Sequence, residues 1–211
     1  MNYNSIEQYF KILLHFLLKH NKIFIGMIVL FILCILPGYF SMRYYTILPS
    51  PFYLYNDSVE EAKIVKKHTK DRDDDDIEFF KLTDPSIAHA FLPHVNEDLK
   101  YLENTILLTN PTIWFYKLLF NRPRPYQIDS TIDVLESKTA DTPAYPAGHA
   151  LQAYYLSHIL SKKYPKKKDL FDKLANKCDM VRVKAGLHYP SDGKLSKNIA
   201  NYINNIVDIF Y

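Results

Sequence analysis

From Ile77 to the C-terminus, apolar residues recur at helical spacing while Pro85, Pro93, Pro111, Pro123 and Pro125 cut that pattern into short lengths. Proline lacks a backbone donor and clashes with the preceding turn, so helices in this region must be short. Leu99, Leu102, Ile106 and Leu107 mark one helix, and the run TIWFYKLLF after Pro111 a second, mostly buried one that carries Lys117. The polar stretch from Tyr126 to Ala144 reads as surface loop. His149 opens a further helix to about Lys163, with Gly148 near its N-cap, and Leu170, Phe171, Leu174, Cys178 and Val181 mark the next. Pro190 starts the last, whose apolar face is Ile199, Tyr202, Ile203, Ile206 and Phe210. With no alternating strands and no internal repeat, the expected fold is all-α, a helical bundle over residues 77–211.

Ahead of it, Ile23 to Phe40 is a run of eighteen residues without a charge. As a helix it would span roughly 27 Å, close to the thickness of a bilayer's hydrocarbon. A cleavable signal peptide is the rival reading, but a long region precedes the run and no small-x-small cleavage site follows Pro37-Gly38. The expectation is one uncleaved transmembrane anchor at 23–40. Residues 1–22 form a basic segment in which 6–18 suits an amphipathic surface helix. Lys11, Lys19 and Lys22 precede the run and only Arg43 follows it closely, which places the N-terminus in the cytoplasm and the main domain across the membrane. Residues 41–76 read as a linker, aromatic at first (Tyr44, Tyr45, Phe52, Tyr53, Tyr55) and then acidic. The run Asp71-Arg72-Asp73-Asp74-Asp75-Asp76 lacks the glycine and spaced ligands of a calcium loop and is read as a solvated loop.

The overall charge of +3 comes from the first 43 residues. The rest of the chain carries 22 basic and 22 acidic side chains, which gives no support to nucleic-acid binding. Two cysteines, Cys34 and Cys178, supply neither a disulfide framework nor a cysteine metal site.

Three short pieces carry chemistry: Lys117–Pro125 (KLLFNRPRP), Pro146–His149 (PAGH) and Arg182–Asp192 (RVKAGLHYPSD). Singly, such lysines and arginines are more often surface residues, such histidines structural and such an aspartate a helix cap. As an ordered set they bring three cations, two histidines and a carboxylate to one anion-sized site. A phosphate dianion needs donors converging from several directions, which Lys117, Arg124, Arg182 and the Gly148–His149 backbone would supply. Gly148 would let backbone approach the anion closely. Arg122 also precedes a proline, but only Arg124 fits the spacing from Lys117, so Arg122 is the reserve candidate. Asp192 can hold one ring nitrogen of His188 and leave the other as a nucleophile, while His149 protonates the leaving oxygen. Cationic side chains neutralise the charge, so neither a metal nor another cofactor is called for. His15, His20, His68, His89, His94 and His158 have no such company and are read as structural.

At these residues the chain resembles the type 2 phosphatidic acid phosphatase superfamily, which includes class A acid phosphatases, lipid phosphate phosphatases and vanadium-dependent haloperoxidases. That family's pattern is K-x6-R-P, P-S-G-H and S-R-x5-H-x3-D, and the resemblance covers about Lys117 to Asp192. It implies a helical bundle and a phosphohistidine intermediate, with His188 as nucleophile, Asp192 its orienting partner and His149 the acid. Lys117, Arg124, Gly148 and Arg182 would hold phosphate. Ala147 stands where the family has Ser, removing one hydroxyl donor, and Val181 stands where Ser precedes the Arg. The expected activity is a membrane-anchored, metal-independent phosphatase acting on phosphomonoesters or on lipid phosphates or diphosphates. The alternatives are a vanadium haloperoxidase and a non-catalytic anchored phosphate-binding protein.

Overall fold

Acidic residues begin three of the helices that frame the site. The computed structural model describes residues 57–210, and every regular element among them is helical. Helix α1 (Ser58–Lys70) is capped by Asp57, whose carboxylate accepts from the Val59 N–H at 2.8 Å. Helix α2 (Asp74–Thr83) starts in a reciprocal capping box, Asp73 accepting from the Asp76 N–H and Asp76 from the Asp73 N–H. Acidic side chains here satisfy unpaired N–H groups and oppose the helix dipole. The stretch read as linker is therefore structured from Asp57 onward. Glu61, Ala62, Val65 and Thr69 of α1 are buried, and the aspartate run supplies a cap and an ion pair, Asp76 to Lys184 at 2.5 Å. The rest of that linker, the amphipathic segment and the predicted span Ile23–Phe40 lie outside the described residues. Among the described residues no helix is long and apolar enough to cross a membrane.

The chain continues through α3 (Ala88–Phe91), α4 (Leu99–Leu107, capped by Asp98), α5 (Asn110–Phe120) and α6 (Pro125–Ile128). An irregular stretch follows before α7 (Gly148–Lys163), α8 (Lys168–Lys184) and α9 (Pro190–Phe210). The surface loop predicted for 126–144 begins inside α6 and buries Ile132, Ala140 and Ala144.

Helix α7 is the axis of the bundle, packed chiefly on α8 and α9. Its Ala153, Leu156 and Leu160 face a core of Ile87, Phe91, Leu102, Phe171, Ala175 and Cys178, while Leu151 and Tyr155 pack with Ile113, Ile199 and Ala200. Cys178 serves there as a small apolar filler. On the predicted face of the last helix Ile199 is buried and Ile203 half-buried, but Tyr202 is 68% exposed, while the burial of Ile206 and Phe210 lies outside what the structure describes.

Where α8 and α9 approach, Gly193 leaves room for a carboxylate. A Cβ on Gly193 would lie 2.0 Å from Asp179 Oδ1, and Asp179 accepts from the Tyr154 hydroxyl at 2.9 Å. Gly193→Ala must swing Asp179 away and break that bond. The expected cost is about 1–2 kcal/mol, measured by denaturant unfolding, and adding Asp179→Ala should recover part of it.

Candidate active site

Local backbone devices deliver the predicted residues to one place. Lys117 lies in the last turn of α5, which ends at Asn121 in the left-handed conformation, φ 43°. An asparagine tolerates that region, and the turn leads straight into Arg122-Pro-Arg124. Helix α8 ends in a Schellman motif. The Gly186 N–H donates to the Val183 carbonyl and the Leu187 N–H to the Arg182 carbonyl, with Gly186 at φ 77°. A side chain at Gly186 would be strained, and its Cβ would meet Ile132 and the Asp133 carbonyl oxygen. This reversal fixes how far His188 lies from Arg182, and it is the physical content of the R-x5-H spacing.

Lys117, Arg124, Gly148, His149, Arg182 and His188 all line one cavity of about 430 Å³. Asp192 lies beneath it, fully buried and touching His188. Every predicted site residue is thus either on this cavity or in contact with one that is. The ring of His188 is fixed at both nitrogens. Arg124 Nη1 donates to Nε2 at 2.8 Å, and an arginine can only donate, so Nε2 is unprotonated and its lone pair accepts that bond. The proton is therefore on Nδ1, 3.1 Å from Asp192 Oδ2. The same oxygen accepts from the Tyr189 N–H at 2.9 Å, so Asp192 secures the start of α9 as it orients the histidine.

His149 Nε2 lies 2.9 Å from the Asp84 carbonyl oxygen, an acceptor, so the proton of the neutral ring is on Nε2. Burial and then the charge of Arg182 push its pKa down to about 3. Burial, with Arg124 next, likewise holds His188 well below the usual imidazole range, and Lys117 is depressed by burial, Arg124 and Arg182. Asp192 is pushed up to about 7 by burial, against the opposing pull of Arg122.

The cations are not equally compensated. Arg182 Nη1 is paired with Asp84 at 2.6 Å, while its buried Nε has no hydrogen-bond partner. Lys117 donates to the Pro143 carbonyl, and Arg124 to the carbonyls of Thr142 and Leu187, at 2.8 and 2.9 Å. Neither makes an ion pair with a carboxylate among the described residues. Burying a cation without one is costly. A dianion between Lys117, Arg124 and the Arg182 Nε would relieve all three.

Arg122 does not fill the reserve role. It is absent from the cavity wall and completely buried, with Nη1 donating to Asp192 Oδ1 at 2.7 Å and Nη2 to Glu61 Oε2 at 2.6 Å. Its plane lies 3.8 Å from the centre of the Tyr189 ring. Its partners, Glu61 and Ser191, were outside the motif pieces or unassigned within them. So was Asp84, whose carbonyl holds His149 and whose carboxylate holds Arg182. The sequence signal for these was weak. Of this group only Arg122, the other arginine that precedes a proline, is singled out by the sequence.

Ala147 is fully buried, is not on the cavity wall and leaves α7 without a side-chain cap. A Cβ on Gly148 would meet Ile113 and the Lys117 Cε at ordinary contact distances, 3.4 and 3.9 Å. The protein itself therefore does not require glycine there, and only an anion close to the backbone would. His68, His89, His94 and His158 do not line the cavity, and no three His, Cys, Asp or Glu side chains among the described residues gather as metal ligands would. Set against models of known protein families and against curated proteins, the chain matches none.

Two outcomes follow from this geometry. Arg122→Ala strands two buried carboxylates and should cost about 3–5 kcal/mol in denaturant unfolding, whereas a surface arginine would cost well under 1. His149 has a folded pKa of about 3 against 6.5 for the free ring, so the unfolded chain takes up the proton first as pH falls. Its contribution is present above pH 6.5 and lost below. The stability advantage of the natural chain over His149→Gln should shrink by about 1–2 kcal/mol between pH 6.5 and about pH 5.

Proposed function

We propose that this chain is a metal-independent phosphatase that works through a phosphohistidine on His188, with the helical fold and site of the type 2 phosphatidic acid phosphatase superfamily. The observation that carries the reading is the pairing of a fixed imidazole lone pair with buried cations that lack carboxylate partners, on one cavity. Phosphoryl transfer needs that pairing and little else from a protein.

Lys117, the free Nε–H of Arg182 and Arg124, whose Nη1–H turns from His188 Nε2 to the substrate and so frees that lone pair, bind the phosphoryl oxygens. The Nε2 lone pair attacks phosphorus, forming N–P as the bond to the leaving oxygen breaks, and Asp192 stabilises the charge that develops on the ring. The leaving oxygen takes a proton from His149. In the neutral ring that proton is engaged with the Asp84 carbonyl and Nδ1 carries none, so the acid form arises when the substrate dianion arrives. Negative charge beside His149 reverses the effect of Arg182 and favours proton uptake. His149 then takes a proton from the water that attacks phosphorus, N–P breaks, phosphate leaves and His188 is restored.

Membrane anchoring through Ile23–Phe40, with the catalytic domain on the extracytoplasmic side, belongs to the same proposal and rests on sequence. The test is phosphate release by the full chain from an aryl phosphate with chelator present. Turnover should persist, be blocked by vanadate, and fall at least about 10³-fold in His188→Ala, as expected when a nucleophile is removed. Acid-labile phosphate should be trapped on His188. Turnover that needs a divalent cation, or that survives His188→Ala, would sink the reading.

A further inference from the structure

One side of the cavity differs from the cationic floor. Ile106, Leu107, Ile113 and Trp114 line it where α4 turns into α5. The apolar surface then continues outward onto the corner itself. Leu107 is 53% exposed, Leu108 71%, Phe115 50% and Leu119 40%. Pro111, Phe115 and Leu119 follow at intervals of four along α5, so they form one outward stripe. From Asn104 to Phe120 the only charged side chain is Lys117, and it is buried.

We propose that the α4–α5 corner docks on the surface of a lipid bilayer and presents the cavity mouth to it. An uncharged stripe with a tryptophan at its edge matches the zone where headgroups meet acyl chains, and an in-plane helix gains affinity from apolar area placed there. The path from buried cations to exposed leucines suits a ligand with an anionic head and an apolar tail. A bilayer can offer such a head to the cavity while the tail stays in lipid. The chain outside the described residues agrees with this occupant. The uncharged run Ile23–Phe40 ends sixteen residues before Asp57, and a tether of that length reaches at most about 55 Å. Only the turnover arm of the test below rests on the phosphatase reading.

Trp114 is the only tryptophan in the chain, so its emission reports on this corner alone. The full chain is incorporated in phosphatidylcholine vesicles with plain or brominated acyl chains, and bromine quenches only at close contact. Docking predicts at least a twofold loss of Trp114 emission in brominated vesicles, at least half of it restored in Leu108→Asp/Phe115→Asp. Neither residue lines the cavity, so aryl phosphate turnover should stay within twofold while turnover of vesicle-borne phosphatidic acid falls about tenfold. Leu119→Lys is the second variant should the first misfold by circular dichroism. Vesicle-bound protein whose emission is the same in plain and brominated lipid would overturn the proposal, and would point to a second copy or the chain's own N-terminal segment as the cover. Quenching without turnover on any phosphate would leave docking standing and remove the phosphatase reading instead.

Discussion

The site depends on a guanidinium that never reaches it. Arg122 is sealed between Glu61 of α1, Asp192 of α9 and the face of Tyr189, and it joins three parts of the chain that are remote in sequence. A buried arginine in this setting stabilises by geometry more than by net charge energy, because desolvation offsets much of the Coulomb gain. What it secures is the direction of Asp192, and through Asp192 the tautomer and rotation of His188. Helix α1 therefore supports the site, although it lies far upstream of every motif residue.

Asp84 does the corresponding work on the opposite side. One residue holds His149 through its backbone carbonyl and Arg182 through its carboxylate, with Ser137 and Thr139 completing its bonds. Both histidines thus stand on supports that leave little rotational freedom. Asp192 faces His188 with a carboxylate, whereas His149 is kept neutral by burial and the charge of Arg182, against the opposing pull of the Asp84 carbonyl.

Excess positive charge among buried side chains also explains why the titration behaviour of the cavity is collective. Lys117, His149 and His188 are each depressed by burial and by their cationic neighbours. A hydroxyl at position 147 would be a small addition to such a field, since Ala147 is buried away from the cavity wall.

Much of this was legible beforehand. Helix periodicity and proline positions gave the bundle, because burial of apolar stripes and the missing proline donor act within a few residues. The spacing of Lys117 to Arg124, and of Arg182, His188 and Asp192, identified the site, because a turn, a Schellman reversal and an i,i+4 contact are local geometry. The acidic linker was misjudged for an equally local reason. Aspartates that cap a helix and aspartates that sit in solvent have the same composition, and only the hydrogen bonds of Asp57 and Asp73 tell them apart. Arg122 and Arg124 posed a harder choice. Two identical side chains two residues apart meet different partners, and only the positions of Glu61 and His188 decide which becomes a buried strut and which lines the cavity. The sequence by itself determined the helices and the residues that gather at the cavity. The tertiary structure alone decided their protonation and support, since desolvation and charge–charge coupling depend on distances through space between residues far apart in the chain.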